Sequence, residues 1–437
     1  MTLTGLAARP FGVVLDHAKR PTPRRWARLV SDVPASLTTG EIIEHLRKKR
    51  GMSRPVLAGL VGYSSDWLKR IENGQRGVSI PALLRLARVL RVDDLSTFID
   101  GDVPIPVSAW EGPRHPAATA VRDIVQASTF TPTRPVEDPP EVSDLSERVG
   151  QAWREWHLLP NNHSVMAAVL PSLIRDLERA TIVLEGTQRR TAHGALASAY
   201  SLVQHLAVDM VEPETMSVLV DRAARAAQAA DDPVSLALGA WTYGHVLRGI
   251  DPDASLRTVA DAARELERHL DSDDAAGLYG SLNLHCAISA AHQGQDGIAW
   301  RFWDTAIETA NRLPDGYFHP ATVFGIENVA LHGVSIAAEL QRHGEAVQRA
   351  EHIDPNAVPS RERRGRLFGE MAASNMQRNE LDGAFHFLRR AYETSPEEVP
   401  YSALTRGVTV ELVRSARGQL KAEAVALAEQ MGVLPAA

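Results

Sequence analysis

Five side chains that form hydrogen bonds share one face of a predicted helix near the N-terminus. The stretch "GYSSDWLKRIENGQRG", residues 62–77, places Trp67, Leu68 and Ile71 three and four residues apart, which predicts an amphipathic helix. The opposite face carries Ser65, Asp66, Lys69, Arg70 and Asn73. Arginine can donate two parallel hydrogen bonds to guanine, serine donates or accepts, and aspartate accepts from cytosine. This face therefore has the chemistry to read base edges and phosphates, and an ordinary solvated helix face is the alternative.

Covalent chemistry is not indicated by the sequence. The motifs HExxH, GxxxxGK(S/T) and GxSxG are absent, and the sixteen histidines do not occur at the spacings typical of metal ligands. Cys286 and His285 are adjacent on a predicted helix, where neighbours diverge by about 100° and cannot act together. A lone cysteine in an apolar helix is typically a small core residue. We therefore expect no metal site, no cofactor and no enzymatic activity.

The composition predicts an all-α protein of two or more domains. The chain has 437 residues, of which 44% are hydrophobic and only 5% aromatic, and alanine and leucine dominate. Its single cysteine excludes an intramolecular disulfide and fits a reducing compartment. The N-terminus lacks the leading positive charges of a secretory signal, and no apolar run reaches the length of a membrane span. We expect a cytoplasmic, nucleoid-associated protein with no membrane partner.

Charge is distributed unevenly along the chain. Residues 1–92 contain 17 lysines and arginines against 6 acidic residues, a net charge of +11. The remaining residues carry −18, so that the chain as a whole carries −7. A small basic module on a large acidic body is the expected form of a polyanion-binding domain attached to a domain that does not bind polyanions.

Helix start and stop signals crowd into the basic module. Thr38 and Glu41 predict a capping box, Ser53 and Ser64 are N-cap candidates, and Gly51, Gly62 and Gly74 are stop signals, while Ser79 is the candidate cap of a fourth helix. The apolar positions expected to face the core of the first two helices are Ile43, Leu46, Leu57, Leu60 and Val61. The second and third helices are separated by a three-residue turn, the arrangement of a helix-turn-helix whose second helix enters the major groove.

Residues 38–95, with "LRKKRGMSRPVLAGLVGYSSDWLKRIENGQ" and "SIPALLRLARVLRV", resemble the phage-repressor or XRE-type helix-turn-helix domain. The resemblance implies that residues opening the third helix meet base edges, here Ser64, Ser65, Asp66 and Arg70, with Lys69 and Asn73 near phosphates. It also implies an internal pair between Arg47 and Glu72. The family usually opens its second helix with glutamine, and here that position is Arg54, which can bind phosphate.

The C-terminal part of the chain contains a helical repeat. Small and apolar residues recur at spacings of three and four in three segments: Ala299, Trp303 and Ala306; Ala346, Ala350 and Ile353; Ala384, Leu388 and Ala391. A weaker copy has Met216, Val220 and Ala223. These units resemble tetratricopeptide repeats, although the intervals of 47 and 38 residues between Ala299, Ala346 and Ala384 exceed the usual length of about 34. Longer helices or loops are therefore expected.

Stacked helix pairs form a superhelix with a concave groove. In tetratricopeptide repeats the first helix of each pair lines that groove, and the resemblance places seven polar residues there: Ser281, His292, Asn328, Ser335, Glu339, Arg366 and Gln377. They are our candidates for binding a peptide or a small-molecule effector, with solvated helix faces as the alternative. His285 and His332 occupy equivalent repeat positions, which indicates packing or a weak response to pH.

These patterns predict four regions: a basic N-terminal arm at 1–37, a helix-turn-helix domain at 38–100, a proline-rich linker at 101–141 interrupted by one short helix, and a repeat domain at 142–437. The order of domains resembles that of peptide-sensing bacterial transcription regulators and of large actinobacterial regulators. The resemblance implies a homodimer that binds a double-stranded DNA operator and responds to an effector. The alternative is a repeat scaffold that recruits a protein partner, with DNA binding secondary.

Overall fold

The computed structural model describes residues 37–78, 80–92, 97–98, 115–127, 141–208, 210–211 and 213–434. The basic residues of the predicted arm (Lys19, Arg20, Arg24, Arg25 and Arg28), the predicted cap Ser79 and most of the predicted linker lie outside these ranges. Within them, every regular element is a helix, which confirms the predicted all-α class. None of the described helices combines the length and apolarity that crossing a bilayer requires.

Four short helices form the N-terminal group: α1 (Thr39–Lys49), α2 (Arg54–Val61), α3 (Ser65–Glu72) and α4 (Ile80–Val89). The predicted caps are present, since Thr38 and Glu41 form a capping box and the Ser53 and Ser64 hydroxyls each accept a backbone N–H of the helix they begin. Gly62 takes a left-handed conformation (φ 78°), which an L side chain would strain. The predicted three-residue turn between α2 and α3 follows from these local signals.

The core of this group contains Ile43, Leu46, Leu57 and Val61, as predicted. The prediction for Leu60 is wrong, because its side chain is 58% exposed. An eight-residue helix buries a single stripe, and in α2 that stripe passes through Leu57 and Val61, leaving Leu60 about 100° away from Val61 on the solvent side.

Fifteen further helices follow: α5 (Ala117–Ala127), α6 (Val142–Leu158), α7 (Asn162–Val183), α8 (Gly186–Ala207), α9 (Pro213–Ala230), α10 (Pro233–Ile250), α11 (Pro252–Leu266), α12 (Asp273–His292), α13 (Asp296–Ala310), α14 (Ile326–Glu339), α15 (His343–Ala350), α16 (Arg361–Gln377), α17 (Leu381–Thr394), α18 (Ala403–Ser415) and α19 (Gly418–Gln430). From α8 onward they pack as consecutive pairs, and the first helix of each pair contacts the first helix of the next. This is the predicted helical-repeat solenoid.

The small residues of the repeat lie where two helices of a pair meet. Ala299, Ala346 and Ala384 are each fully buried, so the second helix of each pair approaches the first without a large side chain between them. The 47-residue interval between Ala299 and Ala346 includes the irregular connection 311–325 between α13 and α14. The longer repeat length that the sequence predicted therefore comes from both long helices and one long loop.

The solenoid curls until its two ends touch. His157 Nδ1 on α6 lies 3.1 Å from the Ser360 hydroxyl before α16, and the Ser164 backbone N–H donates to Glu397 (2.9 Å). The helix expected within the linker is α5, and its buried face packs against α7, α8 and α9. This part of the linker region thus contributes to the core of the large domain.

The helix-turn-helix group packs against the solenoid. One continuous apolar core joins Leu83 and Leu86 of α4, and Leu90 directly after it, to Val408 and Leu412 of α18. Two arginines also cross the boundary, where Arg85 Nη1 donates to the Gly249 carbonyl (3.0 Å) and Arg76 Nη2 to the His292 carbonyl (3.2 Å).

Candidate DNA-binding helix and enclosed cavity

Helix α3 presents the predicted polar face to solvent. Ser64, Ser65, Asp66, Lys69 and Arg70 are exposed, while Trp67, Leu68 and Ile71 are buried. The Ser64 hydroxyl accepts the Trp67 N–H (3.1 Å), which leaves its own hydrogen available to a ligand. Asn73 is the C-cap of α3 and is also exposed.

The ion pair on this face is a weak one. Arg70 Nε lies 2.9 Å from Asp66 Oδ2 at the i,i+4 spacing, and the two side chains are 55% and 63% exposed. Exposed pairs of this kind contribute little to stability because water and salt screen them. Both groups can therefore exchange this contact for a base edge at small cost.

The inner side of the same helix is held by a buried carboxylate. Glu72 accepts hydrogen bonds from Arg47 (2.6 and 2.8 Å) and from Arg54 Nε (2.6 Å), which confirms the implied Arg47–Glu72 pair. Burial alone would raise the pKa of Glu72, but the two guanidinium groups hold it below its ordinary value. The carboxylate thus remains ionised and ties α1, α2 and α3 together.

Arg54 has internal partners in this structure. Besides Glu72, its guanidinium donates to Glu44 Oε1 (3.2 Å), and the side chain is 33% exposed. Its predicted contact with phosphate stays a prediction, and it requires that Arg54 release or share these carboxylates.

A cavity of about 880 Å³ that is partly open to solvent lies between the helix-turn-helix group and the solenoid. Six residues of the N-terminal group line one side: Thr39, Tyr63, Gly77, Val78, Leu83 and Arg85. Of the predicted groove residues, His292, Ser335, Glu339, Arg366 and Gln377 line this cavity. Ser281 and Asn328 line a smaller adjoining pocket of about 20 Å³. Each of the seven predicted residues therefore borders one of two neighbouring cavities, and their role in effector binding stays a prediction.

Paired charges form much of the cavity wall. Arg366 Nε lies 2.9 Å from Glu370 Oε1, and the other oxygen of Glu370 accepts the Ser335 hydroxyl (2.6 Å). Burial opposes the charge of Arg366, but Glu370 beside it raises its pKa above the ordinary value. His292 Nδ1 contacts Glu339 Oε2 at 3.1 Å.

Several wall residues were not predicted. A carboxylate pair, Glu362 and Glu398, lines the cavity, and burial together with the Glu362 charge raises the pKa of Glu398 to about 8. Arg248 and Arg363 also line the wall. No periodic signal marks these four residues, because they reach the cavity only through the curvature of the solenoid.

A row of histidines follows the first helices of consecutive pairs. His205, His245 and His285 stand 40 residues apart in the sequence, on α8, α10 and α12, and successive ring centroids are 6.1 and 4.7 Å apart. The Nδ1 atoms of His205 and His245 each lie 2.9 Å from the carbonyl oxygen of the residue four positions earlier, so these nitrogens carry the proton. Burial lowers the pKa of all three rings. The 40-residue interval was the signal that could have identified this row from sequence.

Tyr63 connects the cavity with α3. Its ring stacks on Trp67 at 3.9 Å between centroids and lies 6.0 Å from the ring of His292. The Arg85 guanidinium lies 5.7 Å from the Tyr63 ring centre. A molecule in the cavity would therefore contact the side chain that packs directly on the third helix.

Among the described residues, no group of three His, Cys, Asp or Glu side chains is placed to hold a metal ion.

Solved structures similar to this chain include PlcR of Bacillus thuringiensis in complex with the peptide PapR7 and DNA (TM-score 0.29, 10% identity, 78% of this chain and 98% of that chain). They also include apo ComR from S. thermophilus (TM-score 0.29, 13% identity, 86% and 99%) and the apo competence regulator ComR from Streptococcus vestibularis (TM-score 0.27, 15% identity, 68% and 97%).

A search of curated proteins finds no sequence that matches this chain. A family model described as "Helix-turn-helix domain" matches residues 40–96, the span that contains α1 to α4 and the exposed face of α3. Residues 40–96 of this chain are a helix-turn-helix domain.

Proposed function

We propose that this protein is a sequence-specific DNA-binding transcription regulator that responds to an effector held in the cavity between its helix-turn-helix domain and its solenoid. One observation carries the proposal: the domain that presents α3 also supplies a wall of the cavity, through Tyr63, Leu83 and Arg85. An effector can therefore alter the position of the DNA-binding helix by direct contact. The protein acts by binding, without catalysis, in the cytoplasm.

In the DNA-bound state, α3 lies in the major groove. Ser64, Ser65, Asp66 and Arg70 meet base edges, and Lys69 and Asn73 lie near the backbone. The basic surplus of residues 1–92 supports this assignment because phosphate contacts supply much of the affinity for DNA. Two copies of the chain bind half-sites roughly 34 Å apart, one helical turn of DNA.

The effector switches the protein only if it has different affinities for two arrangements of the domains. The contacts between Arg85 and Gly249 and between Arg76 and His292 belong to the arrangement described here. A ligand of peptide or small-molecule size that favours another arrangement would break them. The helix-turn-helix domain lines one side of the cavity, so a protein partner that bound in this cavity would have to displace that domain.

Substitution of the α3 face tests DNA binding. Fragments selected from genomic DNA by the full-length protein are footprinted and then titrated in gel shifts with Ser65→Ala/Arg70→Ala and, as a control, the exposed Arg225→Ala on α9. We expect the double variant to lose at least about tenfold in affinity for the selected site and the control to bind as wild type. A two-fold-symmetric footprint is the expected pattern. Equal affinities of all three proteins would refute the role of α3, and pull-downs unaffected by the double variant would favour the scaffold.

A further inference from the structure

The small pocket next to the large cavity is lined by three arginines and no acidic residue. Arg248, Arg363 and Arg366 border it, together with the rings of His245, His285 and His332. We call this site the arginine pocket (Arg248, Arg363 and Arg366). Its volume of about 20 Å³ exceeds the roughly 10–15 Å³ that one water needs. The pocket therefore has room for one small polar group.

Two of the three arginines have a carboxylate partner. Arg363 Nε lies 3.3 Å from Glu362 Oε2, and Arg366 Nε lies 2.9 Å from Glu370 Oε1. Arg248 forms no ion pair with any carboxylate in the part of the chain that the structure describes. Its Nη2 instead contacts the His285 ring, at 2.6 Å from Nδ1 and 3.3 Å from Nε2.

No carboxylate contacts the Arg248 guanidinium directly, and the charge of Glu339 acts on it from beyond ion-pair distance. Burial and Arg248 itself hold the pKa of His285 well below its ordinary value, so that ring is uncharged. Burial and the Arg366 charge lower the pKa of Arg248 to about 10, which leaves the guanidinium protonated at neutral pH. Arg248 Nε also has no hydrogen-bond partner, although this atom is inaccessible to bulk water. A buried cation in this state is costly unless an anion pairs with it.

We propose that the arginine pocket binds the carboxylate of an acidic effector whose remaining atoms lie in the large cavity. A carboxylate accepts two parallel hydrogen bonds from one guanidinium, and it is smaller than a phosphate. His245, His285 and His332 close the other sides as neutral rings, so they neither compete for the anion nor repel it. This inference rests on the proposed function, since it takes the cavity as the effector site.

The first experiment asks whether the pocket selects carboxylates. The melting temperature of the full-length protein is measured in sodium acetate, sodium chloride and sodium phosphate at equal ionic strength. We expect acetate to give a saturable rise of about 2 °C or more over chloride, absent from Arg248→Gln and retained by the exposed control Arg225→Gln. Absence of the rise in wild type, its persistence in Arg248→Gln, or a response to phosphate instead would overturn the proposal.

The second experiment distinguishes sources of the carboxylate. N-acetylalanine represents the C-terminal carboxylate of a peptide, and succinate represents a small organic acid. N-acetylalaninamide, in which the C-terminal carboxylate is replaced by an amide, is the uncharged control. We expect N-acetylalanine or succinate to raise the melting temperature and the amide to have no effect. A response to the amide equal to that of the acid would overturn the proposal. Both experiments are made without DNA, so their failure is independent of whether α3 binds an operator.

Discussion

Glu72 is the residue on which the helix-turn-helix domain depends most. Its carboxylate lies on α3 and receives hydrogen bonds from Arg47 on α1 and Arg54 at the start of α2. Removing one partner of a buried pair leaves the other charge uncompensated, which costs more than the pair itself contributes. The orientation of the exposed α3 face therefore depends on a residue that does not contact DNA.

We predict that Glu72→Gln lowers the free energy of unfolding of this domain by about 3–5 kcal/mol. Hydrogen exchange of the amides in residues 39–72 measures the loss in the full-length protein. Glu44→Gln is the matched control, since Glu44 is partly exposed and its loss should cost about 1 kcal/mol or less. Similar losses in both variants would contradict the prediction.

The pH dependence follows from the same carboxylate. The pKa of Glu72 is below its ordinary value of 4.5 in the folded protein, so its contribution to stability is complete above about pH 4.5. The contribution is lost as the pH falls through the lower, folded-state pKa. Glu72→Gln should lack this component of acid destabilisation.

At the scale of elements, close helix packing depends on residues without a large side chain. Gly40 on α1 lies against the backbone of α3, and a Cβ at this position would approach the Ile71 carbonyl oxygen to 2.1 Å. A Cβ added to Gly59 on α2 would have no neighbouring atom within 4 Å. Close packing therefore requires glycine at position 40, whereas position 59 has room for a side chain.

We expect Gly40→Ala to destabilise the domain by about 1–3 kcal/mol, because α1 and α3 must separate. Gly59→Ala should stabilise it by about 0.5–1 kcal/mol, since alanine loses less backbone entropy in a helix. Thermal and urea unfolding of the two variants measure both effects. If both substitutions were stabilising, the close approach of α1 and α3 would be refuted.

At the scale of the whole molecule, the helix-turn-helix domain docks on a closed solenoid. The solenoid closes through contacts between α6 and the start of α16, and Arg85 anchors the docked domain on the Gly249 carbonyl. Arg85 and Gly249 both line the cavity. Its contents can therefore affect the position of α3 even though most of its wall belongs to the solenoid.

We predict that Arg85→Gln weakens docking by about 1 kcal/mol, the typical net contribution of one hydrogen bond. Amide exchange in α3 and α4 should then become roughly fivefold faster, while Arg257→Gln, an exposed residue on α11, should leave it unchanged. Unchanged exchange in Arg85→Gln would mean that the apolar contacts of α4 with α18 suffice for docking.

The sequence by itself determined the local structure of this protein. The caps at Thr38, Ser53 and Ser64 and the buried alanines at 299, 346 and 384 could be predicted because each acts within a few residues. The exposed α3 face follows from helical periodicity alone.

Only the tertiary structure decided how these elements combine. The partners of Arg54, the exposure of Leu60, the closure of the solenoid and the contact of Arg248 with His285 depend on which helices meet across up to 233 residues of sequence. Small changes in the angle between successive helix pairs accumulate over the repeats and set whether the ends meet. No local sequence pattern predicts this accumulated angle, so only the tertiary structure shows the cavity between the two domains.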